Sequence, residues 1–259
     1  MRGYLLYLVD QGKSSAVRKR VISAIRFVYR VTLGRPEVVE GLAWPKAPVR
    51  NRHCPRCQWG AQQRWIAGRL ERVLDTHYFH VVFTLPSELR ALAMSSPREI
   101  YGLLFRAASR TLLELGRDPK WLGAELGLTM VLHTWTRDLR LHPHVHCLVT
   151  GGGLSDDGQW IAARQTFFAP VQVIGALFRG KFLAGLKSLR RRGLLRLEGP
   201  ASDFAEPDVW AEVLTKLYAS NWVVYAKRPM AGAEQVVTYL GRYTHRVAIS
   251  NSRLVKVTK

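Results

Sequence analysis

Apolar residues recur at helical spacing in several stretches of the chain. Near the beginning, positions three or four residues apart would give one face of a helix an apolar stripe: Val17, Val21, Ile25 and Val28. Ser14 or Ser15 can cap this helix and Gly34 can end it, so residues 1–34 are predicted to be helical. Similar spacing predicts helices over 61–74, 98–115, 171–193 and 232–246.

Stretches rich in β-branched and aromatic residues predict strands. The first, HYFHVVFTL, covers residues 77–85 and stops at Pro86. Residues 127–135 and 144–150 are predicted to pair, with a glycine-rich hairpin tip at 151–160. A further strand is predicted at 222–227, a closing hairpin from 247–250 and 253–257, a proline-containing linker at 35–51, and a turn at 54–57.

The order of these elements predicts the fold class. From residue 77 onward strands and helices mix without strict alternation. This order favours an α+β domain with a mainly antiparallel sheet and flanking helices, preceded by a small helical segment. We divide the chain into residues 1–48, a short region at 49–75, and a main domain at 76–259.

The net charge of the chain predicts the kind of partner it binds. The chain of 259 residues carries 39 Lys and Arg against 19 Asp and Glu, a formal net charge of +20. An excess of this size predicts a polyanionic partner. Three cysteines predict a reducing compartment without a disulfide framework, and no stretch has the length of a membrane span. We therefore expect a cytoplasmic, nucleoid-associated protein that does not bind membranes.

The stretch LHPHVHCLV, residues 141–149, suggests metal chemistry. On a strand, His142, His144 and His146 share one face, because successive side chains alternate between faces. Histidine is the commonest metal ligand among side chains, so converging imidazoles predict a divalent metal site. Cys147 would point to the other face, into the core.

Two tyrosines near the end of the chain suggest nucleophilic chemistry. Tyr239 and Tyr243 stand four residues apart, so they share one face of the predicted helix, with Gln235 one turn earlier. Arg242 and Arg246 give them a basic setting. A tyrosine hydroxyl in such a setting can attack a phosphate and form a covalent intermediate.

These stretches together resemble the rolling-circle transposases of the insertion sequence 91 family, which are HUH enzymes with two tyrosines. The resemblance covers about residues 51–254 and rests on NRHCPRCQ, YFHVVFTLP, VLHTW, HPHVHCLVTGGGLSDDGQW, FRGKFLAGL, WVVYAKRP and EQVVTYLGRYTHRVAISNSRL. It implies an HUH-type sheet of ferredoxin or RNA-recognition-motif character. It also implies metal-dependent nicking of single-stranded DNA and strand transfer through a 5′-phosphotyrosine.

The resemblance also implies roles for particular residues. His144 and His146 would bind Mg²⁺ or Mn²⁺, Gln235 would be the third ligand, and Tyr239 and Tyr243 would be the nucleophiles. Because the partner would be DNA, preferably single-stranded, we predict contacts from the densest basic cluster, KSLRRRGLLR at 187–196, and from the tyrosine helix. These residues are Lys187, Arg190, Arg191, Arg192, Arg242 and Arg246.

The chain departs from the family pattern at both ends. The candidate zinc ligands are His53, Cys54 and Cys57, whereas structural zinc takes four ligands, so we do not expect an intact zinc site. Residues 1–48 instead resemble the core-binding segment of tyrosine recombinases. The chain is also expected to be shortened at its C-terminus, which keeps open a catalytically inactive DNA-binding remnant. An unrelated metal hydrolase or cupin-like protein would explain the histidines but not the charge.

Overall fold

The computed structural model describes residues 11, 15–40, 55–136, 140–164 and 169–230, together with 234, 235, 237, 238 and 241. The chain divides into two compact units, Met1–Asn51 and Arg52–Lys259. In the first unit, helix α1 (Ser15–Phe27) continues as a π-helical turn, Val28–Thr32, and Gly34 follows at a positive φ of 62°. The predicted helix and its end at Gly34 are therefore confirmed over the described residues.

The predicted linker begins with ordered structure. Pro36–Val39 form a 3₁₀ turn, and Val39 and Ile22 are buried within this unit. The rest of the predicted linker lies outside the described residues.

The second unit is built from helices and strands in mixed order. Its helices are α2 (Pro55–Leu70), α3 (Arg90–Ser95), α4 (Pro97–Arg117), α5 (Val171–Arg191) and α6 (Pro207–Ala219). Its strands are β1 (Tyr78–Thr84), β2 (Glu125–Trp135), β3 (Leu141–Leu154), β4 (Trp160–Ala162) and β5 (Val224–Met230). Residues 234, 235, 237, 238 and 241 are helical, and together they are called the C-terminal helical segment.

All five strands belong to one sheet, ordered β2-β3-β1-β5, with β4 paired to β3. Each described pairing is antiparallel. The predicted α+β architecture with an antiparallel sheet and flanking helices is confirmed. In the part of the chain that the structure describes, no helix is long and apolar enough to cross a bilayer.

One face of the sheet forms the main core with α4 and α5. Alternate residues of β1 and β3 point to this face, among them Phe83 and Cys147, both at 0% exposure. Phe83 packs against Phe178 of α5 with ring centroids 4.8 Å apart. Full burial of a side chain of this size contributes about 1.5–3 kcal/mol, so this layer supplies much of the driving force for folding. The prediction that Cys147 points into the core is confirmed.

The opposite face carries a second, smaller apolar cluster. Tyr78 of β1, Leu148 of β3 and Val237 of the C-terminal helical segment are buried together, and Trp65 and Ile66 of α2 pack against them. Helix α2 and the C-terminal helical segment therefore cover part of the sheet face that α4 and α5 leave open.

Two predictions about local structure need correction. The turn expected at 54–57 is helical from Pro55 onward, because proline is well suited to the first position of a helix. The hairpin tip begins only at residue 155, since Gly152 and Gly153 still belong to β3. A Cβ at Gly153 would lie 2.4 Å from the Glu125 carbonyl oxygen, so glycine lets the neighbouring backbone approach there.

Two helices were not predicted. Helix α3 is only six residues long. Helix α6 has apolar residues at helical spacing that a closer reading of the pattern would have found: Trp210, Val213, Leu214 and Leu217.

Candidate metal centre

Three histidine side chains converge on the sheet face opposite α4 and α5. They are His133 of β2 and His144 and His146 of β3, and each presents a nitrogen within 4.8 Å of the others. The ring centroids of His133 and His144 are 4.8 Å apart, and those of His144 and His146 are 5.0 Å apart. His146 is buried at 5% exposure, while the other two rings are half-buried.

Strand register produces this convergence. His144 and His146 share a face because they are two residues apart on β3. In the β2–β3 ladder His133 lies directly opposite His144, and cross-strand partners of this kind place their side chains in contact. Val131, the partner of His146, is buried beside them.

A backbone hydrogen bond orients His144. Its Nδ1 lies 2.6 Å from the His142 carbonyl oxygen, and because a carbonyl can only accept, Nδ1 must donate. The neutral ring then keeps Nε2 as an acceptor. Nε2 is the nitrogen that faces Nδ1 of His133 at 3.1 Å.

The fourth histidine of this face, His80 of β1, contacts His146 from the other side. His80 Nε2 and His146 Nδ1 are 2.9 Å apart, and the two rings are stacked with an interplanar angle of 5°. Because this contact occupies Nδ1 of His146, the nitrogen that remains for a metal is Nε2.

Burial disfavours the charged forms of His144 and His146 by lowering their pKa values. Loss of solvent, together with the neighbouring His144, His80 and His133, lowers the pKa of His146 to about 3. Burial also lowers the pKa of His144. The pKa of His142 is lowered by burial and by the positive charges of Arg90 and Arg140. Neutral imidazole is the form that binds metals, so the lowered pKa values of His144 and His146 favour metal binding near neutral pH.

The donor set fits a divalent transition metal. Nitrogens bound at about 2.0–2.1 Å from one ion lie about 3.0–3.4 Å from each other. The His133–His144 separation of 3.1 Å lies within this range, and a small rotation would bring in the third ring, since all the nitrogens lie within 4.8 Å. Imidazole donors suit transition metals such as zinc, copper, iron and nickel better than magnesium.

His133 was missed as a ligand by the sequence analysis, although a signal was present. Residues 127–135 and 144–150 had been predicted to pair, and VLHTW ends one of these strands. The short connection between them, where Thr136 N donates to the Arg140 carbonyl oxygen, brings residue 133 opposite residue 144. Counting outward from the Trp135–Leu141 pair alone would place residue 133 opposite residue 143, and the register shift between His133 and Trp135 brings His144 opposite instead.

The predicted third ligand, Gln235, lies in the C-terminal helical segment at an exposed position. Val237, two residues on, is buried against the sheet, so the two side chains point in different directions from the helix. The role of Gln235 as the third ligand stays a prediction, and His133 is a second candidate for the same role.

The basic cluster predicted to bind DNA lies elsewhere. It occupies the C-terminal end of α5, which covers the other face of the sheet. Arg190 donates to the carbonyl oxygens of Phe204 and Ala205 and lies 4.4 Å from the Trp210 ring, so it holds the chain that follows α5 in place. Lys187 lies over the Tyr218 ring, whereas Arg191 and Arg192 are exposed.

The remaining predicted site residues cannot be located in the same way. Tyr239, Tyr243, Arg242, Arg246, His53 and Cys54 lie outside the described residues. Cys57 is in α2, of which the backbone is described at that position. The roles assigned to them stay predictions, and so does the absence of an intact zinc site.

Sequence comparisons identify the class to which this chain belongs. Residues 127–259 match the family described as "Putative transposase", and residues 46–85 match the "Transposase zinc-binding domain". Since the first match covers half of the chain, the protein is a member of this transposase family. The expected membership in the insertion sequence 91 group is confirmed.

Two curated relatives are similar over most of the chain. The "Putative transposase y4qJ" of Sinorhizobium fredii (strain NBRC 101917 / NGR234) is 44% identical over 256 residues, which are 97% of this chain and 64% of the relative. The "Transposase for insertion sequence element IS801" of Pseudomonas savastanoi pv. phaseolicola is 32% identical over 210 residues, 80% of this chain and 48% of the relative. The chain thus spans less than two thirds of either relative.

Among solved structures, the conjugative relaxase TrwC in complex with OriT DNA is similar at a low level. Its metal-free structure gives a TM-score of 0.35 at 16% identity over 64% of this chain and 72% of that chain. Its metal-bound structure gives a TM-score of 0.34 at 12% identity, over 66% of this chain and 72% of that chain.

Proposed function

We propose that this chain carries the catalytic domain of a rolling-circle transposase. Its sheet would be of the HUH type, and it would nick single-stranded DNA and transfer the strand through a 5′-phosphotyrosine. The observation that carries this proposal is the convergence of His133, His144 and His146 on one sheet face. Family membership supplies the reaction class.

The position of the C-terminal helical segment supports the proposal. Val237 is buried against Tyr78 and Leu148, and Leu148 is on the same face of β3 as His146, two residues away. The segment is fixed to α2 as well, because Gln62 Nε2 donates to the Gly241 carbonyl oxygen at 2.8 Å. A helix fixed on this face can bring the residues around Gly241, including the predicted nucleophiles, to the histidine side of the sheet.

Each group of the chain has a defined task in this reaction. His133, His144 and His146 would hold Mn²⁺ or Mg²⁺, which when bound neutralises charge on the scissile phosphate. Arg90 and Arg140 place positive charge beside His142 at the same edge and would attract the DNA backbone. Single strands would be preferred because exposed aromatic side chains can stack on unpaired bases.

The tyrosines would carry the covalent step. The hydroxyl oxygen of Tyr239 or Tyr243 bonds to phosphorus and loses its proton, while the bond to the 3′-oxygen breaks and that oxygen takes up a proton. No nucleotide cofactor is needed, because the phosphotyrosine ester conserves the energy of the broken diester. A second tyrosine can attack another strand while the first holds its 5′ end.

The test is covalent adduct formation with single-stranded DNA and Mn²⁺. We expect the wild-type protein to form an adduct. Tyr239→Phe and Tyr243→Phe should each retain only one of the two steps, initiation or strand transfer, at high efficiency. The double variant should form no adduct. Mass spectrometry of the DNA-linked peptide identifies the nucleophile.

The outcomes separate the proposal from its alternative. An adduct that survives the double change, or a linkage at any other residue, contradicts the mechanism. A folded wild-type protein that binds DNA and Mn²⁺ but never forms an adduct would favour the inactive DNA-binding remnant.

A further inference from the structure

A fourth histidine is built into the same face of the sheet and is not part of the three-nitrogen group. His80 lies in the middle of β1 and is 2% exposed, which makes it more buried than any of the three candidate ligands. Burial of a polar ring costs free energy unless the ring is hydrogen-bonded. A histidine at such a position therefore points to a specific role for its ring nitrogens.

The register of the sheet places His80 beside one ligand in particular. His80 lies opposite Leu148 in the β1–β3 ladder, so His146 is its diagonal neighbour on the same face. The His80 and His146 rings are parallel with centroids 5.1 Å apart, and their Nε2 and Nδ1 atoms are 2.9 Å apart. Both rings are held by the strands on either side of them.

The position of this contact excludes His80 as a fourth ligand through Nε2. Nε2 of His80 faces Nδ1 of His146, which lies on the opposite side of the His146 ring from Nε2 of His146. His80 is also not one of the three histidines whose nitrogens converge. His80 therefore contacts the ligand and not the place where an ion would lie.

The proposed metal site determines which ring nitrogens of His80 and His146 carry a proton. A neutral imidazole has one donor and one acceptor nitrogen. If Nε2 of His146 binds a metal, it must be the acceptor, so Nδ1 carries the proton. Nε2 of His80 must then accept that proton, and His80 carries its own proton on Nδ1. A hydrogen bond of this kind fixes the tautomer and the ring orientation of a metal ligand.

We propose that His80 is a positioning residue for the metal centre: its Nε2 accepts a hydrogen bond from Nδ1–H of His146 and thereby presents Nε2 of His146 to the ion. The proposal rests on the proposed metal site and extends it by one residue. His144 has the equivalent support from the His142 carbonyl oxygen, so two ligands on β3 are oriented by two different acceptors.

The experiment compares two substitutions at residue 80 in the full chain, using Co²⁺ as the probe after removal of other metals. His80→Leu removes the acceptor, and His80→Gln keeps an amide oxygen near the position of Nε2. We expect His80→Leu to lower Co²⁺ affinity about 10–100-fold, as is typical when the partner of a metal ligand is lost. We expect His80→Gln to stay near the wild type, with the same Co²⁺ absorption spectrum.

A second readout follows the proton itself. In the Zn²⁺-loaded protein, ¹H–¹⁵N correlation spectra should show a slowly exchanging proton on Nδ1 of His146. That proton should exchange faster with water in His80→Leu and remain protected in His80→Gln. A loss of packing alone would not produce rescue by glutamine.

His77→Leu is the matched control. His77 precedes β1 and packs edge-on against Phe79, and its position in the alternation directs it to the other face of the sheet. We expect its Co²⁺ affinity to be unchanged. Thermal unfolding of each metal-free variant checks the fold. If His80→Leu does not fold, His80→Asn replaces it, because the shorter asparagine amide does not reach Nδ1 of His146.

A folded His80→Leu protein with wild-type affinity would overturn the proposal, as would equal losses in the leucine and glutamine variants, or a wild-type protein that binds no Co²⁺. These results are independent of nicking. If metal binding depends on His80 but no covalent DNA adduct forms, only the proposed reaction fails.

Discussion

At the scale of single residues, the candidate metal centre depends on which nitrogen each imidazole presents. His144 presents Nε2 because its Nδ1 donates to a backbone carbonyl, and His133 meets it with Nδ1 at 3.1 Å. Two side chains, His133 and Gln235, are candidates for the third ligand.

Replacing His133 by Ala should weaken metal binding at least as much as loss of an outer partner does, about 10–100-fold, because a direct ligand is removed. Gln235→Ala, an exposed position, should have a much smaller effect. Calorimetric titration of both variants with Mn²⁺ decides between them. The reverse ranking would restore Gln235 as the third ligand.

Cys147 follows His146 directly but belongs to the other face of the sheet. It is fully buried, and burial raises the pKa of its thiol, so it should be inert. In a Cys54→Ser/Cys57→Ser background, we expect iodoacetamide to label the protein only after denaturation, as measured by intact mass. Rapid labelling of the native protein would show that the core is more open than the structure indicates.

At the scale of elements, the C-terminal helical segment meets α2 through a glycine. A Cβ at Gly241 would lie 2.5 Å from Cγ1 of Ile66, closer than carbon atoms pack. The absence of a side chain explains why glycine stands inside a predicted helix, where it otherwise costs free energy. The close approach also fixes the segment on the histidine face.

Gly241→Ala should therefore destabilise the protein by about 1–3 kcal/mol through overpacking, and should reduce adduct formation because the segment is displaced. Gly180→Ala is the control, since Gly180 is exposed on α5 with no atom within 4 Å of an added Cβ. That change should be neutral or stabilising by up to about 1 kcal/mol. Thermal or urea unfolding measures both, and equal effects would argue against the close helix contact.

At the scale of the whole molecule, positive charge is found on both sides of the sheet. Arg90 and Arg140 lie near His142, while Arg191 and Arg192 are exposed at the end of α5. With a formal net charge of +20, attraction to a polyanion is expected over much of the surface. In the proposed reaction, only positive charge near the histidines can position a phosphate for cleavage.

Binding to single-stranded DNA should weaken steeply with salt, with a slope of about −0.7 for each phosphate contacted. Arg90→Ala/Arg140→Ala and Arg191→Ala/Arg192→Ala should both flatten the slope measured by fluorescence anisotropy. Only the first pair should reduce adduct formation at saturating DNA. A salt-independent affinity, or loss of cleavage confined to the second pair, would contradict this distribution of roles.

Much of this protein could be predicted from local patterns in its sequence. Alternation placed His144 and His146 on one face and Cys147 on the other, because side-chain direction in a strand depends only on parity. Helical spacing found α4 and α5 within a few residues of their ends, and mixed element order indicated the α+β class. These features depend on neighbours in the chain, so the chain alone determines them.

Other features depend on contacts between distant residues, and only the tertiary structure decided them. Strand register placed His133 opposite His144 and His80 beside His146, although 66 positions separate that last pair. Packing made Arg190 a hydrogen-bond donor to the backbone carbonyls of Phe204 and Ala205, and it brought Gly241 against Ile66. Register and packing are set by how whole elements meet, since a ladder shifted by one residue would turn every side chain to the other face.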